Sequence, residues 1–187
     1  MTTLIGIVGS ARARSYNKAL LKACARLAPD GVRMEDAALG EIPLYHGDAE
    51  TDTGVPPAVT ALQERIVAAD GLLLVTPEYN ASFTPLLKNT LDWLSRPAGA
   101  AGRVFGGKPL ALTGATPGGG GTISAQTALL PTLRALGVNL WNGPRLFVSG
   151  AGKAFDEDLN LVDAALESRV REFVSGFVGF VELVKRP

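Results

Sequence analysis

The feature that most restricts the fold is an alternation, repeated five times, between short apolar runs and longer segments whose apolar residues recur at helical spacing. Residues 3–8 form the first run and end at Gly9-Ser10; residues 71–76 form another that ends at Pro77, and residues 108–113 run into Gly114 in the same way. Unbroken apolar runs of this kind predict strands buried on both faces. Residues 145–148 predict a shorter strand, and the more polar residues 32–37 an edge strand. Between the runs, Leu20, Cys24 and Leu27 make one helical stripe, and Val59, Leu62 and Ile66 a second. Leu87, Leu91 and Leu94 make a third, Ile123, Leu130 and Leu133 a fourth, and a fifth runs from Val162 through Leu166, Val170, Phe173 and Phe177 to Val181. Pro131 predicts a kink in the fourth helix, because it removes a backbone donor and crowds the preceding turn, and Gly137 supplies a stop. Residues 51–57 and 97–107 read as polar or Gly/Pro-rich loops.

Strands and helices that alternate in this way demand a parallel sheet with right-handed crossovers and helices on both faces. The predicted fold class is α/β, a doubly wound parallel sheet of five strands in one domain over residues 1–187. One domain suits the length, since division would leave two pieces near the size at which a single core becomes marginal. Ligands of such sheets sit outside the carboxyl ends of the strands, where strand order reverses. Residues 9–17, 77–83 and 114–121 are therefore the loops to inspect.

Charge and composition remove several function classes. Lys and Arg number 18 and so do Asp and Glu, so no net field draws the chain to nucleic acid or an anionic membrane. The apolar stretch at residues 173–184 is interrupted by Ser175, Gly176 and Glu182 and falls short of the roughly 20 apolar residues that span a bilayer. Residues 1–9 are too short for a signal-peptide core, and the arginines follow that run instead of preceding it, so a cytoplasmic location is expected. The single cysteine, Cys24, lies in an apolar helical pattern and reads as a small core residue. The single histidine, His46, has no partner histidine or cysteine, which leaves zinc sites and hydrolytic triads short of candidates; it is expected to face solvent from a loop.

The first loop has the makings of an anion cradle. Ser10 and Ser15 offer hydroxyls, Arg12 and Arg14 guanidinium groups, and the helix that follows an unpaired N-terminus with a favourable dipole. Neither the Walker signature nor the dinucleotide glycine fingerprint is present, so the loop suits a mononucleotide phosphate better than a pyrophosphate. The same residues also allow a plainer reading, with Ser15 and Asn17 as caps and both arginines solvated; position at the end of the first strand favours the anion. The second loop, residues 76–85, combines Glu78, Tyr79, Asn80 and Phe83, and could either meet a flat heteroaromatic ring or cap and pack locally. Pro85 is expected in the first turn of the next helix. The third loop carries four consecutive glycines, Gly118 to Gly121, which suit a backbone lying close to a ligand or a flexible surface turn equally well.

Gly-Ser-x-Arg-x-x-Ser-x-Asn at residues 9–17 and Thr-Pro-Glu-Tyr-Asn at residues 76–80, followed by Leu87-Lys88-Asn89 and Asp92-Trp93-Leu94-Ser95-Arg96, resemble the NADPH-dependent FMN reductase family. The match spans most of the chain, and the two motifs together, in order and at strand ends, are specific. The resemblance implies a flavodoxin-like fold with strand order 2-1-3-4-5, FMN as cofactor and NADPH or NADH as reductant. It implies that Ser10, Arg12, Ser15, Tyr16 and Asn17 surround the FMN phosphate. Pro77, Glu78, Tyr79, Asn80 and Ala81 would meet the ring, and Thr116 its other flank. Where many members have Pro-Gly this chain has Thr84-Pro85, and Gly114-Ala115-Thr116-Pro117 replaces the Ser-rich turn of some relatives.

The implied activity is ping-pong transfer of electrons from NAD(P)H through the flavin, with no catalytic side chain, to a quinone, flavin, azo compound or metal oxyanion. A flavodoxin-like electron carrier is the alternative, although flavodoxins are usually strongly acidic and this chain is neutral. The resemblance also implies a homodimer or homotetramer, with residues 87–93 as a candidate contact.

Overall fold

The computed structural model describes residues 1–40 and 42–185. The three apolar runs form β1 (Thr2–Val8), β3 (Gly71–Val75) and β4 (Pro109–Ala115), in which all but Thr3 and Leu112 are buried. β2 (Val32–Asp36) is half-buried and takes one edge, as its polarity predicts. All pairs are parallel, with Thr2 opposite Val32, Leu4 opposite Gly71 and Leu72 opposite Leu110. The sheet order is β2-β1-β3-β4-β5, the flavodoxin-like order.

The fifth position differs from the expectation of one short strand. β5 (Asn139–Leu140) pairs with the start of β4, and β6 (Leu146–Val148) pairs with its end. Residues 141–145 leave the ladder between them, where Pro144 has no amide to contribute. The first piece carries a single apolar residue beside Asn139, too little to register as a strand by hydropathy.

Helices cover both faces. α1 (Tyr16–Arg26) and α8 (Ala164–Lys185) bury Leu20, Cys24, Val170 and Phe177 against Leu4, Val8 and Leu73. On the other face α3 (Pro57–Ala68), α4 (Pro85–Leu94) and α6 (Ile123–Leu136) close on Ile5, Ile7, Leu72 and Leu74. Successive residues of β1 thus serve opposite cores, as the period of two requires. Each fully buried large side chain, such as Trp93 or Phe105, contributes about 2–3 kcal/mol of apolar burial. Cys24 lies in the first core, and burial pushes its thiol pKa up to about 12. Among the described residues no helix is long and apolar enough to cross a membrane.

Two segments read as loops contain helices. α2 (Gly47–Thr53) enters residues 51–57 and is capped by exposed His46, whose Nδ1 accepts from the Ala49 amide at 3.2 Å. α5 (Ala100–Phe105) lies within residues 97–107 and buries Val104 and Phe105 completely; its two alanines and one glycine hid it from a hydropathy count. α6 continues through Pro131 as a single helix and stops at Gly137, which has φ 74°. The carbonyl that Pro131 leaves without a helical donor belongs to Thr127, which is exposed and open to water. Val162, read as part of the last helix, lies just before it, where Asp163 accepts from the Leu166 amide at 2.9 Å. A short α7 (Ala151–Ala154) follows β6. The stripe of α4 is spent inside the chain: Leu87, Leu91 and Trp93 are buried, so another copy meeting this helix would find Lys88 and Asp92 instead.

Candidate active site

The chain leaves β1 toward β2 on one side, whereas β3 pairs on the other, so strand order reverses at the carboxyl ends of β1 and β3. Three loops meet there and are tied to one another. The Gly9 amide donates to Val75 O (2.9 Å) and the Thr76 amide to Thr113 O (3.0 Å). Thr84 Oγ1 donates to Gly9 O at 2.7 Å, joining the first loop to the second. Asn17 joins the first to β4: its Oδ1 accepts from the Ala115 amide and its Nδ2 donates to Ala115 O, both at 2.9 Å.

In the first loop, Ser15 is the N-cap of α1 and its Oγ accepts from the amides of Asn17 and Lys18. Among the described residues, the backbone N–H groups of residues 10–16 donate to no protein acceptor, and the hydroxyl of buried Ser10 has no protein partner. Native chains leave few such groups unpaired unless water or a ligand takes them. Arg14 is engaged, donating to the carbonyl of Glu157. Arg12 is exposed and makes no ion pair among the described residues. Tyr16 stacks on Phe155 with ring centroids 5.9 Å apart, and with Arg12 it lines a cleft of about 280 Å³.

The second loop is a tight hairpin. Tyr79 and Ser82 exchange both amide–carbonyl bonds, at 2.9 and 3.0 Å, across Asn80 and Ala81. Those two central residues have φ 50° and 58°, which makes a type I′ turn. Asparagine tolerates that region; alanine does so at a cost of about 1–2 kcal/mol. The amides of Asn80 and Ala81 point to no protein acceptor among the described residues. Pro77 and Glu78 are half-buried behind the hairpin, and Tyr79 is exposed. One oxygen of the Glu78 carboxylate is committed to α6. This Oε2 accepts from the amides of Ser124 (2.9 Å) and Ala125 (3.1 Å) and so caps α6, whose own N-cap, Thr122, sits at φ 67° and makes no side-chain bond to the amides of the first turn. A carboxylate on a helix N-terminus is favoured by the dipole.

Thr116 in the third loop is held by its main chain: its amide donates to Val148 O (2.9 Å) and its carbonyl accepts from Ala151 (3.0 Å). Its Oγ1 accepts from the Gly118 amide at 3.2 Å. Of the glycine run, only Gly121 is tightly confined, at φ 58° and with a hypothetical Cβ 2.8 Å from Phe147. Gly118, Gly119 and Gly120 are exposed and uncrowded.

The family model described as NADPH-dependent FMN reductase matches residues 2–153. The chain belongs to this family. It is 45% identical over 160 residues to an NAD(P)H-dependent FMN reductase of Pseudomonas aeruginosa, covering 86% of this chain and 84% of that one. A 2-hydroxy-1,4-benzoquinone reductase of a Burkholderia species is 38% identical over 175 residues, 94% of this chain and 93% of the relative. Among solved structures, FerB, a flavoenzyme NAD(P)H:(acceptor) oxidoreductase from Paracoccus denitrificans, superposes with a TM-score of 0.87 at 32% identity, covering 98% of each chain.

Within this FMN reductase fold, the sequence motifs mix residues that stay open with residues that hold the loops. Ser10, Arg12, Asn80 and Ala81 keep donors free, whereas the carboxamide of Asn17 and the carboxylate of Glu78 are committed to β4 and α6. Sequence reasoning missed Thr84 and Gly114. A Cβ on Gly114 would come within 2.0 Å of Thr76 O and 2.4 Å of Thr122 Oγ1, so this glycine lets the second and third loops approach. Thr84 was readable as an N-cap, because it immediately precedes Pro85, the first residue of α4.

Proposed function

We propose that the chain is an FMN-dependent NAD(P)H oxidoreductase, acting by a ping-pong sequence on small flat acceptors of the quinone, flavin, azo or metal-oxyanion classes. The observation that carries this reading is the row of unpartnered amides on residues 10–16, beside the free hydroxyl of Ser10 and the unpaired Arg12, at the switch point of the sheet. These groups match a dianionic phosphate in charge and donor count. Ser10, Arg12 and Ser15 would hold it through side chains, and Tyr16 through its amide, since the ring is packed on Phe155. Asn17 would act at one remove, by fixing the loop to Ala115.

The amides of Asn80 and Ala81 are free to donate to a ring edge and would favour negative charge that develops there. Pro77 and Tyr79 would flank the ring, Glu78 would brace the hairpin from α6, and Thr116 would close the far side. Bound FMN would supply the redox chemistry, taking hydride from NADPH or NADH and passing two electrons to the acceptor. The protein would position the flavin and tune it.

Residues 1–187 would form a single FMN-binding domain that assembles as a homodimer or homotetramer in the cytoplasm. Purified protein mixed with FMN should show bound-flavin absorbance, bleach on anaerobic titration with NADPH and regain colour with a benzoquinone. Protein that neither takes up FMN nor oxidises NADPH in its presence overturns the reading. Reduction only through a separate partner protein would replace it with an electron carrier. Light scattering that gives a monomer removes the assembly.

A further inference from the structure

The break in the fifth strand opens a cleft of about 290 Å³ at the sheet edge, bounded by β4, α6 and α8. None of its lining residues belongs to the three loops of the flavin site. Leu112, Leu130, Trp141 and Phe147 supply apolar walls. Trp141 is fixed in place: its ring packs edge-on against Phe173 at 5.1 Å and tilted against Phe177 at 5.8 Å. Two glycines make room for it, since a Cβ on Gly143 would lie 2.3 Å from the indole and one on Gly176 2.9 Å from it. A bulky ring seated against two glycines and two phenylalanines is a pre-formed wall.

The rim carries charge of one sign. Arg134 and Arg145 both line the cleft, no Asp or Glu does, and neither arginine forms a hydrogen bond or ion pair among the described residues. The indole N–H of Trp141 likewise has no protein acceptor among them, unlike that of Trp93, which donates to Pro43 O at 2.7 Å. Apolar aromatic walls under two unpaired guanidinium forks select a ligand with a flat apolar body and an anionic head, and Arg matches a carboxylate in two-point geometry. The volume admits one or two fused rings and falls short of a dinucleotide.

We propose that this cleft is a second ligand site, separate from the flavin site, for a small aromatic carboxylate. The ring lies between Trp141 and the Leu130 side, and the carboxylate meets Arg134 and Arg145. This site does not depend on the flavin reading, because its walls come from other segments and the test runs with and without FMN.

The probe is 2-naphthoate, titrated by calorimetry into FMN-loaded and FMN-free full-length protein, with 2-naphthalenemethanol as its uncharged counterpart. Indole resonances of ¹⁵N-labelled protein report the location. The expected result is saturable one-site binding, unchanged by FMN, that moves the Trp141 indole signal and leaves that of Trp93 in place. The uncharged probe and the double variant Arg134→Ala/Arg145→Ala should each bind at least tenfold more weakly. Both arginines are exposed, and a circular dichroism spectrum matching the parent confirms that the variant is folded. No saturable binding, equal affinity for both probes, or undiminished affinity in a folded double variant overturns the proposal. Competition with FMN overturns it in favour of the flavin site. A cleft closed by a second copy, shown by light scattering if naphthoate or Leu130→Glu dissociates an oligomer, overturns it in favour of a subunit interface.

Discussion

The two ends of the sheet treat their polar groups in opposite ways. At the amino end nearly everything is closed. The Thr3 amide donates to Asp70 at 2.7 Å, Lys185 pairs with Asp70 at 2.9 Å, and Lys108 donates to the carbonyls of Val67 and Ala69 at 3.2 and 2.7 Å. Thr2 donates to Glu182, which ties the start of β1 to the end of α8. Lys108 is half-buried, and that burial lowers its pKa against the pull of Asp70. At the carboxyl end the amides of residues 10–16, 80 and 81 meet no protein acceptor among the described residues, and Asn80, Ala81, Gly121 and Thr122 all have positive φ. Strained backbone beside unspent donors is what a shape held for a ligand at the expense of stability would look like, and it is the arrangement on which the proposed flavin site rests. The closed end has the polar groups named above already paired within the chain.

The sharpest way to break this contrast is Gly114→Ala, which attacks the closest approach of two loops. With Thr76 O 2.0 Å from the new Cβ, the second and third loops must separate. The expected cost is about 3 kcal/mol in urea unfolding, the upper end of overpacking effects, accompanied by loss of FMN binding. A variant of parent stability would mean that these loops are free to move, and the open end would not be a fixed cradle.

Ser10→Ala with Arg12→Ala sharpens the contrast from the other side. Both groups lack protein partners, so stability should change by no more than about 0.5 kcal/mol. FMN affinity, followed by quenching of flavin fluorescence, should fall at least tenfold, which is about 1.4 kcal/mol. A loss of stability without loss of affinity would show that these residues hold the fold and not the phosphate.

Ala81→Gly should act with the opposite sign. Glycine accepts φ 58° without the Cβ penalty, so the hairpin should gain up to about 1 kcal/mol, less the entropy that glycine loses on folding. An unfolding midpoint that falls would locate the strain elsewhere.

Elements with a dense apolar signal were legible in the sequence. β1, β3 and β4 are buried on both faces and read as such, and the α1, α3, α4 and α8 stripes point to the cores they fill. What was not legible depended on partners distant in sequence. β5 is a strand only because β4 lies beside it, and α5 is helical with alanine and glycine because two large residues at its end reach the core. The loops followed the same division. Ser15 as a cap of α1 is a local matter and could be read. That Glu78 caps α6, 46 residues away, and that Asn17 clamps Ala115, 98 residues away, could not, because a carboxylate or carboxamide in a motif does not announce which distant amide it meets. Both polar side chains carry tertiary bonds that their motifs gave no sign of.

The smallest expected effect belongs to the closed end and concerns Asp70. Burial alone would raise its pKa, but the Thr3 amide, Lys185 and Lys108 together outweigh burial and lower it below the ordinary carboxylate value. A depressed pKa stabilises the fold above the unfolded-state value, about 3.9, and that contribution is lost as pH falls through the lower folded-state value. The Lys185 pair is part-exposed, so Asp70→Asn, which keeps an acceptor for Thr3, should cost only about 0.5 kcal/mol. In urea titrations the gap between parent and variant should be constant from pH 7 to about 5 and shrink below about 4, with FMN affinity unchanged throughout. A gap that widens in acid, or an FMN affinity that moves with this substitution, would show that the two ends of the sheet are coupled, and the separation of stabilising from binding groups would not hold.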